Sequence, residues 1–395
     1  MLLLKNCKVI PELTEGFSGK EADVLIEGDR IKEIMSCGAN VQADQVMDLK
    51  GKYLLPGFFD MHVHFSLSGG DTLIDNAKTP VQQAYDAVKF AQDSLKAGFT
   101  TIRDVGSYDN VAIELRNAIN AGNFVGPTIY AAGRIVITTE AGNSFFSGLY
   151  NEADGPQEMW KAVRQEMQAG ADYIKILGTG AVMHPHGEPG QPIFTYEELK
   201  AVVDAAKFKD TYVASHCHGV RAIKESIRAG VRTIEHASFL DDEAIEMLKG
   251  NTDTYVVPTL KIISGLVESV PASSTFMVAK AQHVLDELKV NMRKAYDAGL
   301  VLGFGTDTGA VPLPHGANGD EFVLRKEFWD MDEVDIIKQA TINSAVIMGV
   351  DADYGSIKAG KYADLVIVDG DPTKDISVLT KNIDGVIKFG KPVTI

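Results

Sequence analysis

The middle of the chain, from about residue 56 to residue 350, alternates short apolar runs with longer amphipathic segments. Short runs rich in apolar residues predict buried strands, and the segments between them, such as 81–98 and 195–208, predict helices. Because the strand-like runs are largely apolar on both faces, they favour a parallel sheet that helices cover on both sides. The runs are GFFDMHVHF, TTIRDVG, TIYAAG, YIKIL, YVASHCH, TIEHAS, YVVPTL and VLGFGTDT.

Eight strand-like runs with helical segments between most of them predict an α/β protein of the (β/α)8, TIM-like barrel type. An open, doubly wound sheet is the alternative. That fold would favour a Gly-X-Gly-X-X-Gly turn after the first strand, and the sequence has none at that position.

The two ends of the chain have a different pattern. Both alternate short β-rich runs with glycine-containing turns, such as Gly28-Asp29 and Gly51-Lys52 near the start. Two β-rich ends around a different middle predict a small β-sandwich domain built from 1–55 plus 355–395. The barrel domain would then occupy 56–354.

Composition narrows the class of protein. The net charge of −16 argues against a nucleic-acid surface, which needs basic patches. No run of about 18 apolar residues is present, and the three leucines before Lys5 are too short for a signal peptide, so neither a membrane span nor secretion is expected. Cys7, Cys37 and Cys217 form no disulfide or zinc pattern. A cytoplasmic enzyme is therefore expected.

Polar residues interrupt the apolar runs where the strands are expected to end. Asp60, His62 and His64 share one face of the first run, because side chains alternate along a strand, and Asp60 is interpreted as an acceptor that orients an imidazole. A buried polar side chain without partners costs about 1–3 kcal/mol, so these positions are informative. The other such residues are Lys175 on the fourth run, His216 and His218 on the fifth, His236 on the sixth and Asp307 on the eighth.

Each of these residues has an ordinary explanation when it is taken alone. A single strand His is often a hydrogen-bonded core residue, an Asp at a strand end often caps a helix, and a buried Lys often forms an ion pair. Their joint occurrence is poorly explained by coincidence, because the strand ends of a barrel meet at one face. The set therefore predicts a metal centre there. Arg103 and Asp104 are interpreted as a structural ion pair beneath it.

This arrangement resembles the amidohydrolase superfamily, in its branch with a binuclear metal site and a bridging lysine. The superfamily pattern is His-X-His on strand one, Lys on strand four, His on strands five and six, and Asp on strand eight. The resemblance covers essentially the whole chain. It is carried by LLPGFFDMHVH, AGFTTIRDVG, YIKILGTGAVM, VASHCHGVRAIKESIRAGVRTIEHASFLDDE, GFGTDTG and GSIKAGKYADLVIVDGDP.

The resemblance implies a specific metal site and mechanism. Lys175 would react with carbon dioxide to form a carbamate that bridges two divalent ions, for which zinc is expected, with manganese, cobalt or iron as alternatives. A metal-bridging hydroxide would attack the scissile carbonyl. Asp307 would accept its proton and pass it to the leaving nitrogen. The implied ligands are His62, His64, Lys175, His216, His236 and Asp307.

The leading function is hydrolysis of dipeptides or N-acyl amino acids, as in prolidase-like and Xaa-Arg-type dipeptidases. The alternatives are hydrolysis of cyclic amides, lactones or aryl esters at the same site, and a non-catalytic scaffold. The partner is thus a small-molecule substrate, and helical surfaces would permit a homo-oligomer. The resembling branch carries Gly-Gly-His after strand three, which this chain lacks. The candidate substrate-binding residues are His218, Glu140, Asn143 and His184.

Overall fold

A computed structural model describes residues 1–182, 188–269 and 275–394 of the chain. Its strands are β1 (Leu2–Lys8), β2 (Glu21–Glu27), β3 (Arg30–Ser36), β4 (Gln45–Asp48), β5 (Tyr53–Pro56), β6 (Phe58–Val63), β7 (Phe99–Asp104), β8 (Thr128–Ala131), β9 (Ile135–Ile137), β10 (Tyr150–Glu152), β11 (Ile174–Leu177), β12 (Val213–Cys217), β13 (Thr233–His236), β14 (Tyr255–Val257), β15 (Leu365–Val368), β16 (Ile383–Lys388) and β17 (Lys391–Pro392).

The helices fall mainly between the strands of the middle region. They are α1 (Thr72–Asn76), α2 (Pro80–Lys96), α3 (Val111–Asn120), α4 (Gly155–Ala169), α5 (Tyr196–Lys207), α6 (Val220–Ala229), α7 (Asp242–Lys249), α8 (Leu260–Ser269), α9 (Thr275–Asp297), α10 (Asp320–Trp329), α11 (Glu333–Lys338), α12 (Ser344–Met348) and α13 (Val378–Lys381). The predicted helices 81–98 and 195–208 are confirmed as α2 and α5. Both begin with a Thr whose hydroxyl accepts a backbone N–H of the first turn, in a capping box with Gln or Glu.

The middle region is an α/β fold with two parallel sheets. One sheet has the order β6-β7-β8, and the other has the order β10-β9-β11-β12-β13-β14. Every strand pair in both sheets is parallel. Seven of the eight predicted runs contain a strand of these sheets. The short strands β9 and β10 lie in the long connection between the third and fourth runs, where no strand was predicted.

The eighth predicted run, 301–308, does not form a regular strand. It makes isolated bridges, Leu302 to β14 and Thr308 to β6, and so lies between the two parallel sheets. Its glycines explain the irregular backbone: a Cβ on Gly305 would lie 2.9 Å from the Cβ of His62, so this segment needs glycine to approach β6 closely. The predicted position of this run is therefore correct, but the prediction that it forms a regular strand is wrong.

The strands from the two ends of the chain share one eight-stranded sheet. β5 pairs antiparallel with β15, so residues 53–56 lie beside residues 365–368. The remaining strands follow in the order β17-β16-β15-β5-β1-β2-β3, with β4 beside β1. The sandwich form and the domain boundaries at 55 and 355 stay predictions.

The interior of the middle region is apolar. A large cluster of buried side chains lies between the parallel strands and the helices and includes Val63, Ile102, Ile234 and Val256. Since these side chains come from β6, β7, β13 and β14, the core joins both parallel sheets. Within the ranges that the structure describes, no helix combines the length and apolar character that crossing a bilayer requires.

A buried ion pair within the terminal sheet contains a lysine that also contacts the middle region, and loss of this lysine is expected to destabilise the fold. The Nζ atom of Lys388 lies 2.5 Å from Asp364 and donates a hydrogen bond of 2.7 Å to the hydroxyl of Thr128, on β8. Lys388→Met would leave the Asp364 carboxylate buried without its cation. We expect the free energy of unfolding to fall by roughly 3–5 kcal/mol, measured by urea denaturation.

The matched control is Lys391→Met, because the Lys391 side chain is exposed. Exposed substitutions usually change stability by less than about 0.5 kcal/mol. If both variants unfold at the same urea concentration, the buried contacts of Lys388 do not contribute to the stability of the fold.

Candidate metal centre

The predicted metal ligands converge at the carboxyl ends of the parallel strands. His62 lies near the end of β6, and His64 follows that strand directly. Leu177 at the end of β11 is paired with His216 on β12, and Cys217 is paired with His236 on β13. In-register parallel strands thus bring the fourth, fifth and sixth runs to one edge. His62, His64, Lys175, His216, His218, His236 and Asp307 all line one cavity.

Two of these residues have a left-handed backbone. His236 has a φ of 68° and Asp307 a φ of 65°, a conformation that residues other than glycine adopt rarely. Both stand where a strand or extended segment turns out of the sheet, and the turn directs their side chains into the cavity. Such strain is typical of functional sites, because the surrounding structure must hold it.

The ligating atoms form two overlapping groups. The first contains His216, His218 and His236, and the second contains His62, His236 and Asp307; within each group the candidate ligand atoms lie within 4.8 Å of one another. His236 belongs to both groups, and its ring centroid is 4.7 Å from that of His62 and 4.6 Å from that of His216. The cluster therefore has the extent that two neighbouring ions require.

Asp307 lies against the His-X-His pair of β6. Its Oδ1 atom is 3.6 Å from Nε2 of His62 and 3.4 Å from Nε2 of His64. Burial acts to raise the pKa of Asp307, but these two rings and Lys175 outweigh it and lower the pKa to about 2. The carboxylate is therefore ionised at neutral pH, as a ligand or a proton acceptor must be.

Four of the five histidines that line the cavity use their Nδ1 atoms to contact the surrounding protein, whereas His216 approaches the Gly180 carbonyl with Nε2, at 3.4 Å. The Nδ1 contact fixes each of the four rings and leaves Nε2 for the cavity, which is the usual arrangement around a bound metal. The Nδ1 contacts are His62 with Glu235 at 2.9 Å, His64 with the Gly106 carbonyl at 2.8 Å, His218 with Ser238 at 2.9 Å and His236 with Thr259 at 2.6 Å.

Lys175 is buried at the base of the cavity, with only 1% of its surface exposed. Among the residues that the structure describes, none forms a hydrogen bond or ion pair with its Nζ atom. Burial lowers the pKa of Lys175 to about 8, although the carboxylates of Glu235 and Asp307 oppose this shift. A substantial fraction of the amine is thus neutral near pH 8, and a neutral amine is the form that reacts with carbon dioxide.

One nitrogen atom of the cluster, Nε2 of His236, has the properties of a ligand atom. Nε2 of His236 is buried and forms no hydrogen bond with any residue that the structure describes, although an unsatisfied buried polar atom costs about 1–3 kcal/mol. Burial and the neighbouring His216 hold the pKa of His236 well below its usual range, so the ring is neutral and can donate its lone pair. Neutral imidazoles with one carboxylate form a donor set that suits a divalent transition metal.

Comparison with known proteins agrees with this site. The model of the amidohydrolase family matches residues 53–393. The chain belongs to the amidohydrolase family. It is 30% identical to ochratoxinase from Aspergillus niger over an alignment that covers 93% of this chain and 82% of that protein.

Two solved structures are similar over their whole length to this amidohydrolase. The crystal structure of a Xaa-Pro dipeptidase with methionine bound in its active site has a TM-score of 0.90 and 36% identity, and covers 100% of both chains. The structure of a prolidase in complex with N-methylphosphonate-L-proline has a TM-score of 0.89 and 28% identity, and covers 100% of this chain and 99% of that one. Family members are typically metal-dependent, and this amidohydrolase is a hydrolase with a cluster of histidines in its cavity.

The amidohydrolase contains a buried partner of a predicted metal ligand that the sequence analysis missed. Glu235 on β13 contacts His62, and its other oxygen accepts hydrogen bonds from Arg103 at 2.6 Å and from Thr233 at 2.6 Å. Burial acts to raise the pKa of Glu235, but Arg103, His62 and Lys175 together outweigh it and lower the pKa to about 2. A carboxylate inside the apolar run TIEHAS is as unusual as Lys175 inside YIKIL. The rule that charged residues inside strand-like runs are informative could therefore have identified Glu235 as well.

Two interpretations of the strand residues are wrong. Arg103 pairs with Glu235 rather than with Asp104, whose carboxylate accepts the backbone N–H groups of Phe65 and Gly106. Asp60 does not orient an imidazole. Its carboxylate instead accepts hydrogen bonds from Thr306, from Asn318 and from the backbone N–H of His62. Asp60 thus holds β6 and the 301–308 segment together, because its side chain reaches across the bridge between them.

The predicted substrate-binding residues are placed differently from one another. His218 lines the cavity beside His216. Glu140 is exposed, and Asn143 donates its amide N–H groups to the Thr138 carbonyl and to Glu152; neither of them lines the cavity. The nearby Phe146 does line the cavity. His184 lies outside the described residues, as does the adjacent His186.

Proposed function

We propose that this protein hydrolyses the amide bond of dipeptides or N-acyl amino acids with two divalent metal ions. The observation that carries the proposal is the buried Lys175, whose pKa is lowered, among five histidines and Asp307 in one cavity. The full-length similarity to a Xaa-Pro dipeptidase and a prolidase supports the substrate class. The similarity to ochratoxinase supports hydrolysis within the family.

The ligands divide between two ions. His62, His64 and Asp307 would hold one ion, and His216 and His236 would hold the other. The neutral amine of Lys175 would add to carbon dioxide and release one proton, which would give a carbamate, an anionic oxygen ligand in place of the amine. Zinc suits this mixture of nitrogen and oxygen donors.

Two bound ions would supply a nucleophile from water at neutral pH and would polarise the scissile carbonyl. Proton transfer and the orientation of the ligands depend on residues of the chain. Asp307, ionised in the resting site, accepts the proton of the attacking water and returns it to the leaving nitrogen. Glu235 and Arg103 keep the His62 ring fixed, because each is held by several hydrogen bonds.

We also propose that the two parallel sheets close into the predicted barrel. Three contacts support closure on one side: Gly303 donates to the Val256 carbonyl of β14, while Met61 and His64 donate to the carbonyls of Phe304 and Thr308. On the other side, Asp172 donates its N–H to the Ala131 carbonyl at the end of β8.

A hydrolysis screen with parallel metal analysis tests the function. The zinc-loaded protein is assayed against dipeptides, N-acyl amino acids, cyclic amides, lactones and aryl esters. Two ions per chain and release of amino acids from the first two classes are expected. Cleavage of only the cyclic amides or the esters would replace the proposed substrate class, and a folded protein that binds no metal would contradict the metal site.

Removing the contact behind His236 is expected to weaken metal binding. Thr259→Val keeps the shape of the side chain but removes the hydroxyl that lies 2.6 Å from Nδ1 of His236. Partners of this kind typically contribute about 10–100-fold in metal affinity. We expect that loss in a competition titration with a chelator. The control is Thr254→Val, another buried threonine, whose hydroxyl contacts only the Val231 carbonyl and Asn251; equal affinities for both variants would contradict the role of Thr259.

A further inference from the structure

The cavity beside the histidines has an apolar wall opposite the metal ligands. Helix α8 contributes Ile262, Ile263 and Leu266 to this wall. The connection between β9 and β10 contributes Phe146 and Leu149, and β11 contributes Leu177. A substrate group that enters the cavity beside the histidines would therefore meet side chains from three separate elements.

The charged groups of the cavity are committed to the metal centre. Among the lining residues that the structure describes, Asp307 is the only carboxylate and Lys175 the only primary amine. Asp307 is engaged by His62 and His64, so it is not available for a basic substrate side chain. The two segments outside the description, 183–187 and 270–274, contain no Asp, Glu, Lys or Arg. The described part of the cavity thus offers no free carboxylate to a basic side chain and no free ammonium or guanidinium group to an acidic one, and burial of an unpaired charge is costly.

The wall is held in place by a buried ion pair that takes no part in metal binding. The Glu321 carboxylate accepts the backbone N–H groups of Leu260 and Lys261, at the start of α8. Arg325 pairs with Glu321 at 2.8 Å and donates to the Pro258 carbonyl at 2.7 Å. All these groups but Lys261 are fully or nearly fully buried. Helix α8 therefore presents its apolar side chains from a fixed position rather than from a free loop.

We propose that the cavity selects substrates with a large uncharged side chain, aliphatic, thioether or aromatic, and that Leu266 and Ile263 of α8 determine this selection. The inference rests on the proposed amide hydrolysis and names the substrate class within it. A side chain such as that of leucine or methionine would pack against this wall, and removal of its apolar surface from water is favourable. Lysine or aspartate at the same place would lose the hydration of its charge, with no free charged partner among the described lining residues to replace it.

The test compares matched pairs of dipeptides on the zinc-loaded protein. Methionine is compared with lysine, and leucine with aspartate, first in the acyl residue and then in the leaving residue, with alanine in the other position. At one position or both, kcat/KM is expected to be about 100-fold higher for the uncharged member. The same peptides are tested for binding through the shift in Tm, so that recognition and cleavage are measured separately.

The Leu266→Gln variant tests whether the apolar wall causes the preference for uncharged substrates. It is expected to reduce kcat/KM for the leucine substrate by about tenfold with unchanged metal content, because it replaces apolar surface by an amide. The control is Val267→Gln, at the next position of α8. Val267 is half-buried and does not line the cavity, so kcat/KM of this variant is expected to stay within about twofold of that of the unmodified protein.

The outcomes separate the two proposals. Cleavage with a preference for lysine or aspartate, or equal losses in both variants, would overturn the selection and keep the hydrolase. Binding that favours the uncharged members without any cleavage would keep the selection and overturn the proposed hydrolysis.

Discussion

Asp307→Asn is expected to leave metal in the site while it lowers kcat by about 10²–10⁴-fold, the usual contribution of a general acid–base group. Asparagine keeps one side-chain oxygen for the metal but cannot accept the proton of the attacking water. It also tolerates the left-handed backbone at this position, where φ is 65°. The variant should therefore fold normally, and the loss should appear in kcat.

The control for this substitution is Asp330→Asn. Asp330 also has a left-handed backbone, with a φ of 45°, but it is exposed at the end of α10. Metal content and initial rates are measured for both variants. A near-normal rate for Asp307→Asn would rule out the proposed proton transfer, and loss of metal from that variant would make Asp307 chiefly a ligand.

Lys175→Ala is expected to lose metal and, with it, turnover. The substitution removes the amine that would form the proposed carbamate. Loss of an outer partner of a metal ligand typically costs about 10–100-fold, so loss of a direct ligand is expected to cost more than about 100-fold in activity. Metal content by elemental analysis and hydrolysis rate are measured on the same preparation.

Chemical rescue makes this second experiment specific. A short carboxylic acid such as propionate can occupy the volume left by the lysine side chain and supply a carboxylate between the ions. Metal content and rate should both rise with its concentration. Lys249→Ala, an exposed lysine of α7, serves as the control and should be unaffected by propionate. Full metal occupancy and full activity in Lys175→Ala would exclude the bridging role.

Much of the site could be predicted because its residues break a strong local rule. Charged and imidazole side chains are rare inside apolar strands, so His62, Lys175 and Asp307 were visible in the sequence. Their partners were harder to predict, since their contacts depend on which strands become neighbours. Arg103 could reach Glu235 only because β7 and β13 direct both side chains into one interior. Contacts across 132 positions of sequence cannot be inferred from local pattern.

The fold shows the same division between local and long-range information. The α2 and α5 helices carry their own start signals in Thr79 and Thr195, so sequence alone was sufficient. The eighth run has strand-like composition, but its glycines and the left-handed Asp307 interrupt regular pairing. The short strand β9 becomes a strand through its pairing with β10 and β11. Such pairing depends on the tertiary structure, and a run of three apolar residues does not predict it.

The pairing of β5 with β15 has a consequence for biosynthesis. Residues 53–56 leave the ribosome about 310 residues before their partners at 365–368. At about 5–20 residues per second, this edge of β5 remains without its neighbour for roughly 15–60 s. During that time the nascent chain presents an open apolar strand edge, which is a typical site for chaperone binding or for aggregation. Recombinant yield should therefore respond to translation speed and to chaperone supply more than to the stability of the finished protein.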